Sequence, residues 1–256
     1  MPHLISGIVI TFNEEKNITR CLKSLKRVCD ELVVVDSHST DSTVEIAKAL
    51  GAKIFQHPFE GHIEQKNFAL QQAKHDFCLS LDADECLDEE ATASILSLKE
   101  ETSVSGYSFN RLNNYLGTWI RHGSWYPDRK LRLWDRRVGK WGGRNPHDHL
   151  NLEQGNENRH LPGNILHYKI DSLGAHVKQL NFFTEIAAEE LFQKGRSARL
   201  IDLVMRPVFR FFRDYLLKRG FLDGRAGFLI AVISTFGIFL KYAKLSQLEK
   251  STQKDA

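Results

Sequence analysis

No two cysteines in the chain are spaced C-x-x-C. Cys21, Cys29, Cys78 and Cys86 lie instead in apolar, periodic segments, which argues against redox and zinc motifs and for buried free thiols. Charge of one sign is missing as well. The 35 Lys and Arg against 32 Asp and Glu leave a formal net charge of +3, too mild for a partner such as nucleic acid, which asks for a strongly basic stripe. No basic stretch followed by an apolar stretch opens the chain, so no secretory signal is read and a reducing cytoplasm is the expected compartment. The candidate membrane stretch, Ala226 to Leu240, is a run of fifteen uncharged residues. As a helix it would reach about 22 Å against a hydrocarbon core of roughly 30 Å, so it is expected not to span. Internal repeats and low-complexity linkers are absent.

What is present begins with ordinary globular composition, 42% hydrophobic and 26% charged over 256 residues, enough for one good-sized domain with an appendage. The first hundred residues alternate short apolar runs with helical patterns, as a parallel α/β sheet does. Strands are expected at Ile5 to Thr11, Leu32 to Val35, Lys53 to Phe55 and Phe77 to Leu81. Helices are expected from Asn17 to Val28, after Asp41 as N-cap with Gly51 as the stop, from Ile63 to Ala73, and near Glu89 to Leu98. From Gly106 to Tyr168 no strong period holds, and loops with mixed strands around a site are expected. The pattern is helical from Asp171 onward, which divides the chain into an α/β region, 1–170, and a helical extension, 171–256.

Open α/β sheets bind ligands beyond the carboxyl ends of their strands. In this chain those ends carry Thr11, Asn13 and Glu14, then Asp36 to Asp41, then Asp82 to Glu85. Asp and Asn also cap helices and make turns at such places, which competes directly with a ligand role for Asp41. Asp82 and Asp84, two positions apart after an apolar strand, suit a hard divalent cation that bridges carboxylates to phosphates. D-x-D alone is a common tripeptide.

The ordered set is more specific. Ser6-Gly-Ile-Val-Ile-Thr-Phe-Asn-Glu-Glu, Val34-Val-Asp-Ser-His-Ser-Thr-Asp-Ser-Thr and Ser80-Leu-Asp-Ala-Asp-Glu resemble family 2 glycosyltransferases. The resemblance implies the GT-A fold, with a mainly parallel twisted sheet. It places Thr11, Asn13, Glu14 and Asp36 around the nucleoside, Asp82 near the ribose, and Asp84 on a Mg²⁺ or Mn²⁺ ion at the diphosphate. His38 stands where the family often has Gly. Downstream, Trp125-Tyr-Pro-Asp-Arg-Lys-Leu-Arg-Leu-Trp, Asn145-Pro-His-Asp, Leu166-His-Tyr and Phe221-Leu-Asp-Gly-Arg-Ala-Gly-Phe resemble the bacterial lipopolysaccharide core glucosyltransferase group. That implies UDP-glucose as donor and an inner-core heptose as acceptor. The group's His-Glu is His147-Asp148 here, a carboxylate shorter by one methylene.

An inverting transfer needs a base for the acceptor hydroxyl, and Asp148 is the candidate; Asp128 and Asp135 lie in Lys/Arg-rich stretches that suit structural ion pairs. Lys66, Arg129 and Arg132 are candidates for the donor diphosphate, although on a strand the odd offset sets the two arginines on opposite faces. His167 reads either as a metal ligand or as a buried, hydrogen-bonded histidine. Trp119, Trp125, Trp134 and Trp141 read as pocket wall or small core.

The last quarter follows a different logic. From Lys194 to Arg225 nine Lys or Arg face three acids, interleaved with Val208, Phe209, Phe211 and Phe212. That suits peripheral docking on the anionic cytoplasmic leaflet of the inner membrane, or else a helical hairpin packed on the catalytic domain or on a second copy. Two other classes compete. A sugar nucleotidyltransferase needs a Gly-rich phosphate loop where Glu14, Glu15 and Lys16 stand, and a non-catalytic membrane module leaves the acidic strand ends unexplained.

Overall fold

The computed structural model describes residues 4–98, 104–145 and 147–254; Pro146 of the Asn145-Pro-His-Asp motif and the side chain of His147 lie outside the described set. The elements in order are β1 (Ile5–Thr11), α1 (Ile18–Leu25), β2 (Glu31–Asp36), α2 (Thr43–Ala49), β3 (Lys53–Gln56), α3 (His62–Gln72), β4 (Phe77–Asp82), β5 (Glu85–Leu87) and α4 (Glu89–Leu98). They continue as β6 (Gly106–Tyr115), β7 (Thr118–Trp119), β8 (Arg129–Asp135), β9 (Gly139–Arg144), β10 (His147–Leu152), β11 (Asn158–Ile170), α5 (Leu173–Gln193), α6 (Leu200–Phe212) and α7 (Gly224–Lys254). A π-helical turn, Arg213–Leu217, and a 3-10 turn, Gly220–Asp223, join α6 to α7.

The chain clusters into two compact units, Met1–Leu112 with Asp128–Tyr168, and Asn113–Pro127 with Lys169–Ala256. In the first, β3, β2, β1 and β4 lie side by side in parallel. Period-two alternation sends the two faces of these strands to different cores. Val9, Val34, Leu79 and Leu81 join Cys21, Leu22 and Leu25 of α1, while Ile8, Val33, Val35 and Cys78 join Ala69 and Leu70 of α3 with Trp134 and Trp141.

The sheet is mixed rather than parallel throughout: β8 pairs antiparallel with β4 and with β6, and β11 antiparallel with β5. The stretch expected to be loops with mixed strands thus holds two long strands, the ten residues of β6 and the thirteen of β11. Their polar and charged residues mask the apolar alternation by which a half-buried strand is read. Helix α2 begins at Thr43 with Ser42 rather than Asp41 at the N-cap, and Asp41, one position earlier, accepts from the Thr43 amide through Oδ1 at 3.0 Å. Leu50 then gives way to Gly51 at φ +88°, in the left-handed region where the missing Cβ removes the steric cost.

The second unit is mainly helical, with a small core of Tyr115, Ile120, Ile170, Ala226 and Ile230. Here the length expectation is overturned. Ala226 to Leu240 is part of one helix of 31 residues, about 46 Å long, because Lys241 ends the uncharged run without ending the helix. By length and composition this helix passes as a membrane span, and 28% of its most apolar window is buried. None of the four cysteines is in a disulfide; three are buried and Cys29 is half-buried.

Candidate active site

The parallel strands bring their carboxyl ends level. Thr11 is in register with Asp36, and Ile10 with Asp82, so the crevice where strand order reverses, between β1 and β4, is lined by strand-end polar groups. Two loops above it are clasped by side chain to backbone bonds. Asn13 N–H donates to Ser39 Oγ and Thr40 N–H to Asn13 Oδ1, each at 2.8 Å, and Glu14 N–H donates to Thr43 Oγ1 at 2.8 Å. Asp36 is wholly buried, and its carboxylate accepts from both the amide and the hydroxyl of Ser39. That bend sets His38 at φ +62°, a conformation that favours glycine.

Below the crevice two buried cations hold three carboxylates. Lys66 Nζ, from α3, lies 2.9 Å from Asp82 Oδ1 and 2.8 Å from Asp148 Oδ2. Arg132 Nη2, from β8, lies 2.9 Å from Glu85 Oε1 and 3.3 Å from Asp82 Oδ2. Trp141 floors both, its ring 4.4 Å from Lys66 Nζ and 5.6 Å from the Arg132 guanidinium carbon. The cations are 4–5% exposed, while Asp82 and Asp148 keep 29% and 14% open. The negative groups therefore have the access. Burial pushes the Asp82 carboxyl up, but the Lys66 and Arg132 charges outweigh it and hold Asp82 well below the usual carboxylate range. Burial likewise opposes the Arg132 charge, and Glu85 and Asp82 more than restore it. Removing one partner from such a cluster costs about 3–5 kcal/mol, because it strands a buried charge.

Beside it, β5 pairs with β11 so that His167 is opposite Glu85, and Tyr168 N–H donates to Asp84 O at 3.0 Å. This register sets His167 Nε2 3.1 Å from Asp84 Oδ2. Among the described residues no three or more His, Cys, Asp or Glu come together as a metal-holding group. Burial raises the Glu14 carboxyl, the Asn17 side chain opposes this through a hydrogen bond, and Asp84, Asp41 and Asp82 add to the rise.

Of the residues singled out from sequence, Lys66, Asp82, Arg132 and Asp148 form one cluster, and Asp84 and His167 a neighbouring pair. Thr11, Asn13, Glu14 and Asp36 occupy the clasped strand ends. Arg129 is not brought in: it starts β8 three positions from Arg132, hence on the opposite face, and is exposed. Asp128 and Asp135 are bound in ion pairs, with Arg111 at 2.8 Å and Arg137 at 2.5 Å. Trp134 is core, Trp141 the cluster's floor. Glu85, which joins Arg132 to the Asp82 amide, was not given a role from sequence; its place directly after D-x-D was the available signal.

The model of the family described as glycosyl transferase family 2 matches residues 6–164, which includes both clasped loops and every member of the cluster. The chain belongs to glycosyl transferase family 2. An uncharacterized glycosyltransferase of Rickettsia bellii is 31% identical over 95% of this chain and 86% of its own length. The lipopolysaccharide core biosynthesis glycosyltransferase LpsC of Rhizobium meliloti is 28% identical over 95% and 92%. Among solved structures, Staphylococcus aureus TarS 1-349 in complex with UDP-GlcNAc is 15% identical over 97% of this chain and 92% of that chain, with a TM-score of 0.48. The family, together with the mixed α/β sheet, makes this a GT-A glycosyltransferase with a helical C-terminal extension.

Proposed function

We propose that the enzyme transfers glucose from UDP-glucose, with inversion, to a sugar of the lipopolysaccharide inner core. The observation that carries this reading is the single ammonium of Lys66 held between Asp82 and Asp148, which ties the nucleotide-side acid and the candidate base into one cluster. Likeness to LpsC along nearly the full length of both chains supports the acceptor class.

In this reading the clasped loops hold uracil and ribose through Thr11, Asn13, Glu14 and Asp36, and Lys66 and Arg132, held in place by Asp82, Asp148 and Glu85, lend positive charge beneath the diphosphate. Thr11 Oγ1 and the Arg132 Nε and Nη1 atoms are buried without a hydrogen-bond partner, the condition of groups whose partner is a ligand. A divalent cation fits Asp84 and His167. Asp84 and His167, 3.1 Å apart as a hydrogen-bonded pair beside the crevice, are the side chains that would hold it. The imidazole nitrogen in this pair would suit Mn²⁺ better than Mg²⁺. Bound there, the cation would neutralise charge on the departing nucleotide. Asp148, its Oδ2 fixed by Lys66, accepts the proton of the acceptor hydroxyl as that oxygen attacks the anomeric carbon from the face opposite the diphosphate.

Peripheral docking on the anionic inner-membrane leaflet completes the reading, since the acceptor is lipid-linked. Helix α6 exposes Leu200, Ile201, Val204, Met205, Val208, Phe209 and Phe212, a single stripe at helical spacing. The three acids of 194–225 are turned inward: Asp202 to Arg206, Asp214 to Arg210 and Arg213, Asp223 to His122. The outward charge is thus positive, which matches anionic lipid.

The test is a donor panel of UDP- and GDP-sugars with and without Mn²⁺ or Mg²⁺, followed by transfer to heptose-containing core oligosaccharide. Preference for UDP-glucose with transfer to heptose is expected. Turnover of UDP-glucose with transfer only to another cell-surface glycan would retain the enzyme class and overturn the acceptor.

A further inference from the structure

Within the helical unit, α5, α6, α7 and Trp125 line an open pocket of about 270 Å³ that the transfer reaction does not use. Its lining combines apolar and aromatic side chains, Trp125, Phe183 and Ile238 among them, with the cations Arg210 and Lys241. The charges around it do not balance. Arg206 is paired with Asp202, and Arg210 and Arg213 share Asp214, so with Lys241 four cations meet two carboxylates, a surplus of two. Lys241 forms no ion pair among the described residues; its ammonium lies 4.6 Å from the Tyr242 ring centroid. Burial, then repulsion from Arg206 and Arg210, lowers its affinity for a proton. A half-buried cation opposed by its surroundings is costly, and a bound anion removes the cost. Arg210, with Nη2 3.2 Å from Ser124 Oγ, is held at the same wall.

We propose that this cavity binds the anionic head of an amphiphile, its phosphate or carboxylate against Lys241 and Arg210 and the adjoining apolar portion along Trp125, Phe183 and Ile238. The size suits a headgroup with the first part of the chain or sugar that carries it, slightly under the roughly 300 Å³ at which ligand pockets begin. The shared chemistry has two sources, a bilayer phospholipid or an anionic group on the lipid-linked acceptor. Neither depends on the assignment of donor sugar, so the binding test stands even where the transferase reading fails.

The probe is dihexanoyl phosphatidylglycerol, titrated as monomers into the full-length protein without donor. Dihexanoyl phosphatidylcholine and inorganic phosphate serve as comparisons. The anionic lipid is expected to saturate, and Lys241→Gln to weaken it by roughly tenfold or more, the scale of one lost charge-assisted hydrogen bond. Lys241→Arg should restore binding. The melting temperature of Lys241→Gln should hold or rise, which separates a ligand-binding lysine from a structural one. Equal binding of the two lipids, unchanged affinity in Lys241→Gln, or phosphate binding as tightly as the lipid each overturns the proposal. If the lipid raises the acceptor KM at constant kcat, the anion is the acceptor's own; if KM is unmoved, the cavity holds bilayer lipid.

Discussion

The two units handle charge and apolar surface in opposite ways. In the first, the cations are buried and the acids open: Lys66 and Arg132 lie beneath Asp82 and Asp148, and the strand ends above them are tied by hydrogen bonds. In the second, Asp202 and Asp214 are buried against arginines of the 194–225 stretch, beside a stripe of exposed apolar side chains on α6. Among the described residues, eighteen of the twenty-two exposed large hydrophobics belong to the second unit, and Leu4, Phe12, Phe59 and Leu96 to the first. Soluble monomers rarely expose contiguous apolar surface of this kind, which marks an interaction site. In the function proposed above, the first unit takes the nucleotide-sugar donor and the second meets the anionic leaflet.

The comparison breaks most readily at Asp148. Asp148→Asn should lower transfer by about 10² to 10⁴-fold at saturating acceptor, the usual cost of a missing general base, while the nucleotide dissociation constant stays near wild type. Asp148→Glu should keep part of the rate. Should Asp148→Asn turn over within a few-fold of wild type, the base lies elsewhere, and Asp128 and Asp135, engaged as they are with Arg111 and Arg137, would need to be freed to serve.

At the neighbouring pair, Asp84→Asn should weaken Mn²⁺-supported donor binding by more than the ~10 to 100-fold typical of losing an outer-shell partner. Calorimetry with and without metal reads this directly, and metal-supported affinity equal to wild type would remove Asp84 from the cation. In the helical unit the expected effect is smaller and salt-dependent. The double substitution Lys218→Gln, Arg219→Gln removes about 2 kcal/mol of attraction, roughly thirtyfold in partitioning to phosphatidylglycerol vesicles, and wild-type binding should itself fall as salt rises. Retention that ignores salt would favour α7 as a true span.

The smallest effect lies at the opposite end of the β2 strand. Burial pushes the Glu31 carboxyl up, but Lys53 at 2.6 Å, the Ser6 hydroxyl and the Lys74 amide lower it to about 2 from 4.5. A depressed carboxylate stabilises the fold above its unfolded value and stops doing so as pH falls through its folded value. Glu31→Gln should therefore cost about 1–2 kcal/mol at pH 7 by denaturant melts, given the exposed partner. The difference from wild type should vanish between about pH 4.5 and about pH 2.

The strand ends could be read from sequence because each of β1, β2 and β4 is an apolar run that stops at a polar residue, and Asp41 and Gly51 carry their own turn chemistry. Arg132 was readable only as a candidate. Its partners Asp82 and Glu85 stand 50 and 47 positions earlier, and they meet it because β8 folds back antiparallel on β4. The inward turn of Asp202, Asp214 and Asp223 was equally hidden, since a count of charges does not say which side of a helix they occupy. The length of α7 was misjudged for a related reason: a lysine ends an apolar run but is a good helix former.

The central claim is that chemistry and membrane contact reside in separate units. The most direct test measures both activities in two variants, Asp148→Asn and the α6 variant Ile201→Ser, Met205→Ser, Phe209→Ser. Each is assayed for UDP-glucose turnover with a water-soluble acceptor and for phosphatidylglycerol vesicle binding. The first variant should lose turnover and keep vesicle binding, and the second should do the reverse at an unchanged melting temperature. Loss of soluble turnover in the folded α6 variant, or of vesicle binding in Asp148→Asn, would contradict that separation.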